Sequence, residues 1–217
     1  METELTILNS LRIYQPKNGY RFSQEPFVLM KNLELKDRCV FLDYGSGCGI
    51  ISVLAAKING NCFVYSLESN KEMRQIVEKN LRLNNLNNIS VIDKPGKLKT
   101  NSVDIVVSNP PYFLEGSYRK STKFFNEKFE SESLDEMLIN VRRVLKNKGV
   151  LKISYHPTRL VELLGKLDSY GFGVKYITPV YGNRKKEASF IIVESKFGTK
   201  NYTIVKKAIY LGEFQYF

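Results

Sequence analysis

The chain has 217 residues, 43% of them hydrophobic, enough to bury the core of one large domain. Lysine and arginine number 33 against 22 aspartates and glutamates, and the formal charge of +11 fits a polyanionic partner. No run approaches the ~18 consecutive apolar residues of a membrane span, and Met1 to Ser10 lacks the pattern of a secretion signal. Three cysteines without a CxxC spacing argue against a metal site and a disulfide framework, so a reduced, cytoplasmic setting is expected.

Residues 1–38 form a mixed lead-in, with Pro16 and Asn18-Gly19 marking a turn and a helix expected from Pro26 to Leu33. Cys39 to Tyr44 reads as a strand, Gly45-Ser46-Gly47-Cys48-Gly49 as a tight loop, and Ile50 to Ile58 as a packed helix. A strand from Cys62 to Leu67 ends at Glu68. A polar helix from about Lys71 to Asn84 leads to a short strand, Ile89 to Ile92, that ends at Asp93. The strand Val103 to Val107 runs into Ser108-Asn109-Pro110-Pro111-Tyr112-Phe113, and 114–132 read as a long loop. Ser133 and Glu136 make a capping box for a helix to about Leu145, and Lys146 to Gly149 read as a turn. A strand from Val150 to Tyr155 and a helix from Pro157 to Tyr170, stopped by Gly171, follow. Val174 to Val180 and Ala188 to Glu194 have no helix between them and are expected to pair antiparallel.

Strands alternating with helices predict an α/β, doubly wound, mostly parallel sheet with one antiparallel strand near the carboxyl terminus. A single domain is expected: the lead-in over the site, a core at 39–196 and an extension at 197–217. Ligands of such sheets bind beyond the carboxyl ends of the strands, near the topological switch. Asp43, Gly45, Gly47, Gly49, Glu68, Asp93 and Asn109 all fall at such ends.

The glycine loop is no dinucleotide fingerprint, since Ile50 stands where the third glycine would be, and no Gly-Lys-Ser/Thr follows to make a P-loop. Glu68, 23 residues beyond Gly45, can accept from both hydroxyls of a ribose, and Asp93 can meet an adenine amino group. A nucleoside with ribose hydroxyls and no phosphate cradle fits S-adenosyl-L-methionine better than a nicotinamide dinucleotide. Pro110 has a fixed φ and Pro111 forces it extended, which makes a stiff corner. There the Asn109 side-chain oxygen and the Pro110 carbonyl can accept from a planar amine beside the Tyr112 ring. Basic residues Arg119, Lys120 and Lys123 follow the corner, and Arg184, Lys185 and Lys186 lie between the two late strands. Residues 111–217 carry 19 basic and 11 acidic side chains against 14 and 11 in 1–110, so these clusters are candidates for gripping the phosphates of a polyanionic partner. His156, the one histidine, is expected to be structural or to face the substrate.

The glycine loop, the acid after the second core strand and Asn109-Pro110-Pro111-Tyr112 resemble class I methyltransferases that act on planar amino groups. Together with Tyr20-Arg21-Phe22-Ser23 they resemble the bacterial family that methylates adenine N6 in valine tRNA, 3′ of the anticodon, over roughly residues 11–196. The resemblance implies a Rossmann-like methyltransferase fold and S-adenosyl-L-methionine as methyl donor, with S-adenosyl-L-homocysteine as product. It further implies cofactor contacts from Tyr20 and Phe22, substrate contacts from Pro111 and Phe113, a tRNA partner, and no membrane or metal. A monomer or weak dimer is expected. Glutamine, guanine and DNA adenine methyltransferases share the Asn-Pro-Pro-Tyr motif, and a non-catalytic RNA-binding module of the same fold is the alternative from another class.

Overall fold

The structure, a computed structural model, describes residues 1–8, 11–18, 21–31, 33–110 and 133–214. The chain opens with an antiparallel hairpin, β1 (Thr3–Leu8) and β2 (Leu11–Pro16), followed by α1 (Glu25–Met30). The core then alternates: β3 (Val40–Tyr44), α2 (Ile50–Ile58), β4 (Phe63–Leu67), α3 (Lys71–Leu83), β5 (Ile89–Ile92) and β6 (Val103–Ser108). After residue 133 come α4 (Leu134–Val144), β7 (Leu145–Tyr155), α5 (Leu160–Ser169), β8 (Phe172–Tyr181) and β9 (Ala188–Phe197). Two short strands, β10 (Ile204–Val205) and β11 (Ile209–Tyr210), close the order.

Among the described residues, nine strands form one sheet in the order β10-β8-β9-β7-β6-β3-β4-β5, with β11 also on β8. The antiparallel strand is β9, inserted between β7 and β8, which both run with the rest. The chain leaves β3 toward β4 and β5, then returns to β6 on the other side of β3. The switch point therefore lies between β3 and β6.

Helix α3 shows why these residues fold as they do. Met73, Ile76, Val77, Asn80 and Leu81 recur at helical spacing and are its buried stripe. Asn70 caps it, accepting from the backbone N–H groups of Glu72 and Met73. The reciprocal box of Ser133 and Glu136 opens α4, and Gly171, at φ 82°, ends α5.

Several expectations need correction. The lead-in holds the β1–β2 hairpin, whose second strand packs Leu11 and Ile13 into the core. The first helix ends at Met30, not Leu33. Residues 146–149 are not a separate turn; they bulge within β7, where pairing jumps from Val103–Leu145 to Ile105–Val150. Lys146 pins this bulge by donating to both oxygens of Asp104, at 2.8 and 2.9 Å. Cys39 and Cys62 form a disulfide despite the odd cysteine count, because the Val40–Phe63 register sets their Cα atoms 4.7 Å apart. Buried Cys48 lies outside this disulfide, and the cysteine-based argument for a reducing compartment falls away.

Among the described residues no helix is long and apolar enough to cross a membrane, and no cluster of three or more His, Cys, Asp or Glu could hold a metal ion.

Candidate active site

The parallel registers align the strand ends in one row: Ile153, Ser108, Tyr44, Leu67 and Ile92 lie side by side. The next residues are Asn109 after β6, Gly45 after β3, Glu68 after β4 and Asp93 after β5. Neighbouring strands are ~4.8 Å apart, so Asn109, Gly45 and Glu68 leave the sheet within roughly 10 Å of one another. Ser108 ties the β6 end to β3, its hydroxyl donating to the Tyr44 carbonyl at 2.9 Å.

The glycine turn is held on every side. The N–H groups of Gly45 and Ser46 both donate to the Leu67 carbonyl, at 3.0 and 2.8 Å. Gly45, Gly47 and Gly49 adopt φ of 76°, 56° and 83°, in the left-handed region that favours glycine. Gly49 is doubly constrained, because an added Cβ would come within 3.0 Å of Val77 Cγ1. Glu68, buried, accepts from the Gly47 N–H at 2.8 Å and from the Asn70 N–H at 2.9 Å, one on each carboxylate oxygen. The Asn80 side chain completes the support: its amide donates to the carbonyls of Tyr14 and Cys48, both at 2.8 Å, and its oxygen accepts from the Tyr14 N–H at 2.7 Å.

Asp43 sits beneath the turn. Its Oδ2 accepts from both the N–H and the hydroxyl of Ser52, at 2.9 and 2.7 Å, so it anchors the start of α2. Burial pushes its carboxyl up to about 7, against the opposing pull of the Ser52 bonds, and nearby Glu68 adds to the rise. Asp93 forms an ion pair with Lys97 at 2.9 Å, and that contact holds its carboxyl below the usual range.

Asn109 and Pro110 are half-buried beyond β6. Phe22 packs edge-on against Phe27, ring centroids 6.1 Å apart, and lines a cavity of about 510 Å³ with Arg21, Ser189, Phe190 and Leu211. Tyr20, Pro111, Tyr112, Phe113, Arg119, Lys120 and Lys123 lie outside the described residues.

Arg184, Lys185 and Lys186 occupy the β8–β9 turn, on the same carboxyl edge but three strands from β6, roughly 14 Å across the sheet. Lys185 and Lys186 are exposed. Arg184 is engaged with the Glu213 carboxylate at 3.0 Å and lies 4.5 Å from the Tyr210 ring centroid. His156 caps the short turn after β7, its Nδ1 2.7 Å from the Thr158 hydroxyl.

Sequence reasoning missed Ser52, Asn80 and Ser108 as supports of the site. Asn80 left a signal: a polar residue on an otherwise apolar helical stripe.

A nucleoside cofactor fits these residues. An ionised carboxylate offers about four lone-pair sites, and Glu68 spends one per oxygen on backbone, leaving acceptors for two ribose hydroxyls. A Cβ on Gly45 would meet no described heavy atom within 4 Å, so this backbone can be approached closely.

Comparison with known proteins agrees. Residues 24–162, more than half of the chain, match the family described as Methyltransferase small domain. A protein of Methanocaldococcus jannaschii with the provisional name protein N5-glutamine methyltransferase is 29% identical over 164 residues, 72% of this chain and 82% of that one. A predicted O-methyltransferase from Agrobacterium tumefaciens shares the fold with a TM-score of 0.70 at 18% identity, covering 86% of each chain. TYW2 of M. jannaschii, solved in complex with AdoMet, superposes with a TM-score of 0.57 at 18% identity, covering 89% of this chain and 84% of that one. The chain belongs to the methyltransferase small domain family, and S-adenosyl-L-methionine is its methyl donor.

Proposed function

We propose that this methyltransferase modifies a planar exocyclic amine, the N6 of an adenine in tRNA, with the adenosine 3′ of the anticodon in a valine tRNA as the nucleotide. The observation that carries the reading is the register placing Asn109 one strand from the glycine turn and two from Glu68. Gly45, Gly47 and Glu68 would hold the cofactor, which supplies an electrophilic methyl group on a sulfonium centre.

The chain's task is to make a poor nucleophile competent. The lone pair of an adenine amine is delocalised into the ring. The Asn109 side-chain oxygen and the Pro110 carbonyl accept its two N–H bonds, favouring a tetrahedral nitrogen whose lone pair is free. Tyr112 stacks on the base, a contact worth roughly 1–3 kcal/mol per base in single-strand binders. A methylated, cationic amine loses its proton to water readily, so no dedicated base is required of His156. Alignment then supplies most of the acceleration. Delivery to such a corner requires the base to leave its stack.

The RNA substrate is supported by the +11 charge and by Lys185 and Lys186 on the same edge as Asn109. A second reading, the side-chain amide of a protein glutamine, offers the same planar NH2 and is favoured by the name of the M. jannaschii relative. Incubating the protein with methyl-labelled cofactor and either total tRNA or purified release factors, then digesting to nucleosides or amino acids, separates the two. N6-methyladenosine is expected; label confined to N5-methylglutamine rejects the RNA reading.

A further inference from the structure

We propose that a second cavity, between α1, the β7–β9–β8 face of the sheet and residues 206–209, is a phosphate-binding site. It has a volume of about 350 Å³ and collects Lys31, Lys152, Lys206 and Lys207 against one carboxylate, Glu194.

The site is built by register. Lys152 on β7, Glu194 on β9 and Tyr176 on β8 are direct cross-strand neighbours, so their side chains rise in one row on one face. Lys31 reaches in from the end of α1, beside Val28 one turn earlier. The Lys206 N–H donates to the Ile177 carbonyl at 2.8 Å, fixing the backbone of the third wall, and its ammonium lies 3.8 Å from the Tyr176 ring centroid.

Lys152 gives the cavity its chemistry. It is 6% exposed, flanked by the buried Leu151 and Ile153 in the strand segment Val150 to Tyr155. Its ammonium donates to the Lys31 carbonyl at 3.2 Å, and among the described residues no carboxylate lies within 4.0 Å of it. An ammonium carries three donors, and a buried charge is costly unless paired. Burial accordingly pushes Lys152 down to about 8, with Glu194 opposing the shift and Lys206 adding to it. An oxyanion here supplies the missing acceptors and offsets an excess of three positive charges. A phosphate group, carrying up to two negative charges and several acceptor oxygens, suits a cavity lined by four ammonium groups and one carboxylate. The ligand is thus a phosphodiester of RNA or a phosphorylated small molecule, with the same lysines serving either.

The test needs no methyl donor, so it is independent of which amine the enzyme modifies. Inorganic phosphate is titrated into the intact protein at fixed ionic strength against chloride, followed by amide chemical shifts and thermal unfolding. Saturable binding is expected, weakened about tenfold or more in Lys152→Met, the loss due to one charged hydrogen bond. The double variant Lys206→Ala/Lys207→Ala, on exposed residues, decides the matter if Lys152→Met does not fold. Phosphate acting no better than chloride, or binding equally in both variants, overturns the proposal. Displacement of phosphate by a short single-stranded RNA identifies the phosphodiester source. Displacement by a nucleoside monophosphate but not by RNA identifies the small molecule.

Discussion

Around the glycine turn, at the β3–β4 end of the carboxyl edge, the backbone and most polar side chains are met from within the chain, the buried Ser46 hydroxyl excepted. Leu67 accepts two loop N–H groups, Glu68 a third, Ser52 holds Asp43, and Asn80 secures Cys48. At the β7–β8 end the balance is reversed: Lys185 and Lys186 stand in solvent, and Lys152 is buried with one hydrogen bond to a backbone carbonyl. Groups satisfied internally fix a geometry before any ligand arrives, which suits a small cofactor that must be aligned. Cations left without anions suit a large, charged partner that brings its own counter-charges.

This contrast can be broken or sharpened by substitution. Asn109→Ala, at the junction of the two ends, is expected to lower kcat by roughly 10²–10³-fold, on the scale of losing one preorganised polar group. Calorimetry should find cofactor affinity nearly unchanged; equal loss of both would deny Asn109 its place against the amine. Glu68→Gln keeps the shape but turns an NH2 toward backbone donors, so cofactor affinity should fall by about 10–100-fold. Undiminished affinity would remove Glu68 from the ribose site.

Asp43→Asn probes the internally satisfied end by pH. With a native value of about 7 against 3.8 unfolded, Asp43 keeps a proton in the fold that the unfolded chain has released. Its contribution therefore declines as pH rises across that window, by up to about 1.4 kcal/mol per pH unit. Denaturant midpoints from pH 4 to 8 should show Asp43→Asn gaining on the parent protein as pH rises, and a constant offset would refute the assignment. The smallest effect is at the open end. Lys185→Ala/Lys186→Ala should reduce the slope of log affinity for tRNA against log salt by roughly 1–2. An unaltered slope would place the RNA elsewhere.

Much of the first region was legible because its signals are local. The edges of α2 and β5, the Ser133 box, the Gly171 stop and the β8–β9 pairing follow from periodicity and turn chemistry within short windows. What escaped depends on partners distant in sequence. Leu5 and Ile7 alternate like strand residues yet stay exposed, so the hairpin is defined by what β2 buries against α3 and not by β1. The Cys39–Cys62 bridge depends on a parallel register that cysteine counting cannot see. Asp43 looks like a site residue by position, but a hydroxyl nine residues on claims it. Lys152 did leave a mark, a cation between Leu151 and Ile153 in the buried half of β7.

The Asn80 clamp has a consequence for anyone trimming this protein. One amide side chain bridges the opening hairpin and the turn that would cradle the methyl donor. Deleting the first sixteen residues strips that amide of two of its three partners inside the core and slackens the cradle from behind. A tidier amino terminus would then come with a weaker grip on the donor.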